Sequence, residues 1–414
     1  MTIAMMAGAQ TPAAPAPATS SDAAQPSNDA VLKDLAEMKA RLAQLEAELK
    51  AHDGTVPAPA APTAAAPAAP TWSVGPLDIS GFIDGYYSYN ANRPSNTANG
   101  QANDLYNFND KTDQFNLNAA KLTLNHDPDP VGVHIDFLFG RANTFMNGTS
   151  DDNGKYIEQA FISVKPPKAK GFELDFGKFV TSAGAEVIET KDNWNYSRSL
   201  LFSWAIPYYH FGARTSLPVS KTETVGVQVV NGWNNVTKTN GGVTIGLTSA
   251  YVKPKYTWYL NYYTGPENTS TQKGYRNLID TTVLLTLTPK FSTYLNYDYG
   301  QNRDGITSTG SGDKLLNHWQ GGAIAAREQV TATSALVGRF EYFSDRNGFE
   351  TTAAQAVKEF TGTYEYKWAA GLLARAEYRR DWSTVAFFHK GDHGLVDAQS
   401  TLTVGFVAFF GPKR

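Results

Sequence analysis

The sequence predicts an all-β membrane fold, an antiparallel transmembrane barrel of about sixteen strands preceded by a short coiled-coil helix and a Pro/Ala linker. Three observations carry this. Val131, Val133, Ile135, Phe137 and Phe139 are apolar at every second position, with Gly132, His134 and Asp136 between them, which is strand periodicity. Later segments repeat that two-faced pattern, and their polar faces carry charges strand after strand. That inverts a soluble sheet and suits a barrel whose apolar band meets lipid and whose polar face lines a wet lumen. Finally, the connections alternate between short and long, as in bacterial outer-membrane barrels.

Composition narrows the class. The 414 residues are 42% apolar, with mean hydropathy of -0.36. No run of about 18 apolar residues reads as a spanning helix, so a helical membrane protein is excluded. With 21 Tyr, 22 Phe and 8 Trp the chain is rich in the rings that mark membrane interfaces. Cysteine is absent, which excludes disulfides and thiolate metal sites. A formal net charge of -3 and the lack of a basic patch give nucleic acid nothing to bind.

Residues 1–29 hold an apolar start followed by an Ala/Pro/Ser segment that cannot bury a core. Residues 3–9 resemble the end of a signal region with an Ala7-Gly8-Ala9 cleavage site, but the positively charged start is missing. Either the start codon is placed too late or the tail is fortuitously Ala-rich. Over residues 30–52, Val31, Leu35, Met38, Leu42, Leu45 and Leu49 follow 4-3-4-3-4 spacing, which predicts a short coiled coil. A lone amphipathic helix packing on the barrel is the alternative. Residues 53–73 are a Pro/Ala spacer, which at about 3.1 Å per residue reaches roughly 50 Å.

The barrel is expected over residues 74–414. Its first strand has Leu77, Ile79, Ile83, Tyr87 and Tyr89 on one face and Asp78, Ser80, Asp84 and Ser88 on the other, with Phe82 and Tyr86 breaking the alternation. A long polar loop follows at 91–113, and the second strand slips phase at Ala119-Ala120, which predicts a bulge. Short turns are expected at 127–130, 166–171, 218–223, 253–255, 289–290, 330–333 and 367–371. Long loops are expected at 143–155, 181–207, 231–242, 265–277, 301–318, 345–354 and 382–399. Both termini then lie on the short-turn, periplasmic side. The last strand, residues 401–410, has Leu402, Val404, Phe406, Ala408 and Phe410 outward and closes against the first.

If the apolar face meets lipid, the inward charges are Asp136, Glu173, Asp175, Arg214, Asp298, Arg339, Glu341, Glu359, Glu365, Arg375, Glu377 and Arg379. They form wall salt bridges or line a constriction that sets ion preference. The loop at 181–207 is the longest and is unusually apolar, with Leu200, Leu201, Phe202, Trp204 and Ile206, so it folds onto a surface, either into the lumen or over a subunit interface. In the lumen, Glu186, Glu189 and Asp192 would face basic wall residues such as Arg214, Arg339, Arg375 or Arg379. The constriction candidates are therefore these seven with Glu341 and Glu377.

Gly177-Lys178-Phe179 before that loop, His210-Phe211-Gly212-Ala213-Arg214 after it, Val229-Val230-Asn231-Gly232-Trp233, Gly265-Pro266-Glu267 and Arg375-Ala376-Glu377-Tyr378-Arg379-Arg380-Asp381 resemble the β-barrel porins described as OmpL-like. The likeness spans residues 77–410. It implies an outer-membrane pore and names no substrate.

Enzyme chemistry finds little support. No outward Ser/His pair suggests a barrel hydrolase. His389 and His393 flank Asp392 at i, i+4 spacing, which on a helix could bind metal, but Gly391 and Gly394 predict a loop. No metal or cofactor is expected. The expectation is a passive channel for ions and small hydrophilic solutes, embedded in outer-membrane lipid, with a homotrimer and a cell-wall contact of the periplasmic helix as assembly expectations. The alternative is a plugged barrel that anchors the outer membrane to the cell wall through that helix. A lumen filled by Leu200 to Trp204 favours the anchor, and an open gap beside the loop favours the pore.

Overall fold

The computed structural model describes residues 73–74, 77–95, 101–147, 154–303, 316–369 and 371–411. The expected helix with Val31, Leu35, Met38, Leu42, Leu45 and Leu49, and nearly all of the Pro/Ala spacer, lie outside the described residues. No helix among the described residues is long and apolar enough to cross a membrane. The chain crosses with strands.

Sixteen antiparallel strands form one closed barrel. In chain order they are β1 Leu77–Asn90, β2 Gln114–His126, β3 Val131–Phe139, β4 Ile157–Val164 and β5 Glu173–Val180. Next come β6 Tyr209–Pro218, β7 Glu223–Val230, β8 Thr244–Lys253, β9 Tyr256–Gly265 and β10 Arg276–Thr286. The remainder are β11 Phe291–Arg303, β12 Leu316–Gln329, β13 Ser334–Asp345, β14 Gln355–Ala369, β15 Leu372–Ser383 and β16 Ala398–Phe410. Each strand pairs with its neighbour in sequence. Closure comes from β16 on β1, from Thr401 opposite Asn90 to Phe410 opposite Gly81. A closed sheet leaves no edge, so every strand has a hydrogen-bonding partner on both sides without water, which is what a bilayer demands.

Alternation sets the two faces. On β16, Leu402, Val404 and Phe406 are exposed while Thr401, Thr403 and Gly405 between them are buried. The same holds on β13, with Leu336 and Phe340 outside and Val337, Arg339 and Glu341 inside. The exposed apolar residues are thus the lipid-facing band, and the buried polar residues face the lumen.

Three local expectations change. Phe82 and Tyr86 do not break the alternation of β1; they share the inward face with Asp84 and Ser88, and Ile83 points out. They are inward because the lumen there holds protein. The bulge in β2 lies at Asn118, since Gly85 pairs with Leu117 and Asp84 with Ala119. The loop after β3, where the sequence predicts irregular chain, opens with a helix, α1 Arg141–Asn147. Within the last long loop, where Gly391 and Gly394 predict irregular chain, Phe388–Lys390 and Gly394–Val396 form a small hairpin, with His389 on its first strand and His393 in its turn.

The apolar core lies inside the barrel, toward the long loops. Phe82, Leu138, Trp319 and Phe343 of the wall pack with Leu105, Phe108, Met146, Leu200, Leu201, Phe202 and Tyr208 from the loops and α1.

Candidate functional site

The connection between β5 and β6 is the third long loop, and it lies within the barrel. Its base is pinned where the Thr181 amide donates to the Tyr208 carbonyl at 2.9 Å. From there the chain is organised by its own polar side chains. Asn193 accepts from the Val187 amide at 2.9 Å and donates to the Val187 carbonyl at 2.7 Å. Arg198, almost fully buried, donates to the carbonyls of Val187 at 3.2 Å and Tyr196 at 2.8 Å, and to that of Ile188. Glu186 accepts from the Ser199 amide at 2.6 Å. A loop without sheet or helix must satisfy its backbone this way when it leaves water.

The wall completes that accounting. Arg375 Nη1 donates to the carbonyls of Thr190 at 2.5 Å and Asn195 at 3.1 Å, and Nη2 to that of Asn193. Arg379 donates to the Arg198 carbonyl at 2.7 Å, and Arg339 to the Ser197 carbonyl at 2.9 Å. Between them, Glu377 accepts from the amides of Tyr196 at 2.6 Å and Ser197 at 2.9 Å. Glu341 accepts from the Leu201 amide at 3.3 Å. The alternation Arg375, Glu377, Arg379 on one face of β15 therefore matches a peptide backbone, with cations taking carbonyls and the carboxylate taking amides. Trp319 adds a bond to the Ala205 carbonyl at 3.0 Å, and Asp84 accepts from the Tyr196 hydroxyl and from Thr190, both at 2.6 Å.

Of the expected acid–base contacts, one forms as drawn: Glu186 pairs with Arg339 at 2.7 Å. Arg339 also holds Glu341 at 2.9 Å and Glu359 at 3.0 Å. Asp192 pairs instead with its neighbour Lys191 at 2.5 Å, and Arg214 pairs with Asp175 at 2.7 Å across β5 and β6, away from any loop carboxylate. Glu189 pairs with Lys121 of β2, a residue the sequence did not single out. Lys121 also meets Asp136 at 2.9 Å and Glu158 at 2.7 Å. Burial would raise the Glu189 carboxyl, but the Lys121 ammonium outweighs it and holds the group below its ordinary value. Asp136, Glu158 and Glu189 could between them hold a metal ion, but the Lys121 ammonium occupies the position a cation would take.

The first long loop also turns inward, which its polar composition hid. Tyr106 shares a hydrogen bond with Thr401 at 2.6 Å and carries the Arg379 guanidinium 4.2 Å above its ring. Asn107 donates to the Ser203 carbonyl at 2.9 Å, and Trp204 donates to the Leu105 carbonyl at 3.0 Å, so the two loops lock together. Leu105, Tyr106 and Phe108 were the available signal, three large apolar residues among Asn and Asp.

Buried inward side chains occur toward the long loops on all sixteen strands, from Ser88 on β1 through Leu138, Phe179, Val230, Leu278 and Trp319 to Thr401 on β16. Toward the short turns the inward face of β2 to β8 is more open, where His134 is 21% and Arg214 19% exposed in their side chains. The Lys121 cluster stands between these two regions.

Comparison with known proteins agrees with this geometry. The sequence model described as "Putative beta-barrel porin-2, OmpL-like" matches residues 76–410. No curated protein sequence matches the chain. Among solved structures, an anion-selective porin from Comamonas acidovorans is similar at TM-score 0.55 and 11% identity, over 81% of this chain and 99% of that one. Salmonella typhi OmpF in complex with daunomycin is similar at TM-score 0.53 and 14% identity, over 81% of this chain and 97% of that one. The trimer form of in-vitro folded OmpT from Vibrio cholerae gives TM-score 0.52 and 13% identity, over 81% of this chain and 99% of that one. At such identities the likeness is one of fold.

Proposed function

The chain belongs to the OmpL-like β-barrel porin family, and from that premise we propose that it is a passive channel for ions and small hydrophilic solutes whose third long loop forms the constriction. The observation that carries this reading is the Arg375, Glu377, Arg379 strip, which spends three buried charges of the wall on holding that loop's backbone in the lumen. A loop held at this cost in desolvation defines the bore. On this reading Glu186, Glu341, Arg339, Arg375, Glu377 and Arg379 fix the loop. Asp192 and Arg214 meet the solute on the more open side, and Glu189 with Lys121 borders it. Assembly as a homotrimer is part of the proposal, suggested by the trimer form of the Vibrio cholerae neighbour, and the helix at 30–52 would serve it from the periplasm.

A second reading has its own observation. Leu200 and Leu201 are fully buried and inward side chains are closed off on every strand toward the loops, which favours a plugged barrel that anchors the envelope. Single-channel recording of the purified protein in a planar bilayer separates the two. Stable conductance steps support the channel, and the reversal potential under a salt gradient reports which sign of charge governs it. A folded barrel that never conducts sinks the channel and leaves the anchor.

A further inference from the structure

The outer wall meets lipid mainly with apolar, aromatic and uncharged side chains, and on five adjoining strands two cations interrupt it. On the outward positions of β13, β14, β15, β16 and β1 the only charged residues are Lys358 and Arg380. Lys358 is the fourth residue of β14 and Arg380 the fourth from the end of β15, so both stand near the rim that carries the long loops. Lys358 lies opposite Trp382, and Arg380 lies opposite Phe360 on one side and Ser400 on the other. The two cations are thus diagonal neighbours, about 7–8 Å apart at their backbones.

Arg380 is held in place without a carboxylate. Its Nη1 donates to Ser400 Oγ at 2.9 Å, and its guanidinium lies 5.3 Å from the Trp382 ring centre. Lys358 is exposed. Among the described residues neither makes an ion pair, whereas inside the barrel Lys121, Arg327, Arg339, Arg375 and Arg379 all do. A lipid-facing Lys or Arg is strongly disfavoured at the bilayer midplane and nearly tolerated close to an interface. Three residues in from the rim, at about 3.3 Å each, is interface depth. The anions at that depth are headgroup phosphates, for which a guanidinium fork beside an ammonium is the fitting pair of donors. Trp382, Tyr378 and Tyr342 are exposed around them and form the aromatic girdle of this rim.

We propose that Lys358 and Arg380 form a docking site for the phosphate of a lipid headgroup in the outer leaflet. The proposal rests on the outer-membrane placement of the barrel and is independent of whether it conducts. The test is native mass spectrometry of the purified full chain in detergent, with bisphosphorylated lipid A as the added lipid. The parent protein should retain the lipid. The double variant Lys358→Gln/Arg380→Gln should lose at least about tenfold in apparent affinity. Lys253→Gln, which removes an outward cation at the short-turn rim, should leave it unchanged. Heat-modifiable gel migration checks that each variant remains a folded barrel. Should the double variant misfold, the single Lys358→Gln at an exposed position should still weaken binding several-fold. Equal retention by parent and folded variant overturns the site. So does equal occupancy by phosphatidylcholine, or displacement of lipid A by millimolar inorganic phosphate.

Discussion

Replacing Arg375 with Met tests whether the loop governs passage, because the structure isolates what that side chain does. Arg375 donates to the loop carbonyls of Thr190, Asn193 and Asn195 and to Glu365 at 2.7 Å. Glu365 keeps a second partner, Arg327 at 2.9 Å, so it is not left as a lone buried charge. The loss therefore falls on the loop. Bonds involving a charged donor contribute about 1.5–3 kcal/mol each, and buried carbonyls without partners cost about 1–3 kcal/mol each. Met fills much of the same volume, and the carbonyls can turn toward water in the lumen, so a net cost of about 3–5 kcal/mol is expected. At 1.4 kcal/mol per factor of ten, that moves the balance between loop-in and loop-out by roughly two to three and a half orders of magnitude. Planar-bilayer recordings of Arg375→Met should show larger or longer openings than the parent, and limited proteolysis should cut within residues 181–208 sooner. If the variant folds, is cut faster there, and yet conducts like the parent, the loop does not form the constriction. If it is cut no faster, the anchoring argument itself is refuted.

Other perturbations reach the same contact from different sides. Gly405 lies beneath Tyr196, where an added Cβ would come within 2.1 Å of the ring; Gly405→Ala should displace Tyr196 from Asp84 and lower the unfolding midpoint by an amount equivalent to about 1–3 kcal/mol in denaturant titration. Lys121→Met leaves Asp136, Glu158 and Glu189 facing one another with no ammonium among them, and the reversal potential under a salt gradient should move toward cation selectivity. Glu350, in the loop between β13 and β14, is raised by burial to about 7, with Arg276 opposing and Asp345 reinforcing the shift. A carboxyl raised in the folded state favours folding fully below its ordinary value and loses that contribution as pH rises through about 7. Glu350→Gln should therefore stabilise the barrel relative to the parent more at about pH 8.5 than at about pH 5 in thermal unfolding, and a gain independent of pH would refute the assignment.

The barrel was legible because a lipid-facing strand has a simple grammar. Val131 to Phe139 reads as alternate apolar positions whatever the rest of the molecule does, and the turns at 127–130 and 330–333 fall between strands because Pro, Asp and Thr mark them. The interior was less legible for a physical reason. A wet lumen and a lumen filled with loop backbone both call for polar inward residues, so Arg375, Glu377 and Arg379 look the same whether they face water or Asn193 and Ser197. Burial distinguishes them: all three are under 5% exposed. The sequence did hold a hint in Phe82 and Tyr86, two large rings on a face otherwise occupied by Asp84 and Ser88. They look like errors of alternation only while the lumen is taken to be water.

That distinction bears on what keeps the third long loop inside the barrel. Packing Leu200, Leu201 and Phe202 against Trp319 and Phe343 gives the loop an apolar reason to stay inside, and about 1.5–3 kcal/mol per buried side chain is available from it. The polar strip of β15 cannot supply that attraction alone, since buried ion pairs return little beyond their own desolvation. What the strip supplies is position, because a backbone that needs alternating acceptors and donors fits it in one register. Apolar contacts and the strip thus hold the loop in the lumen together, and the charges also decide where its tip, with Glu189 against Lys121, comes to rest.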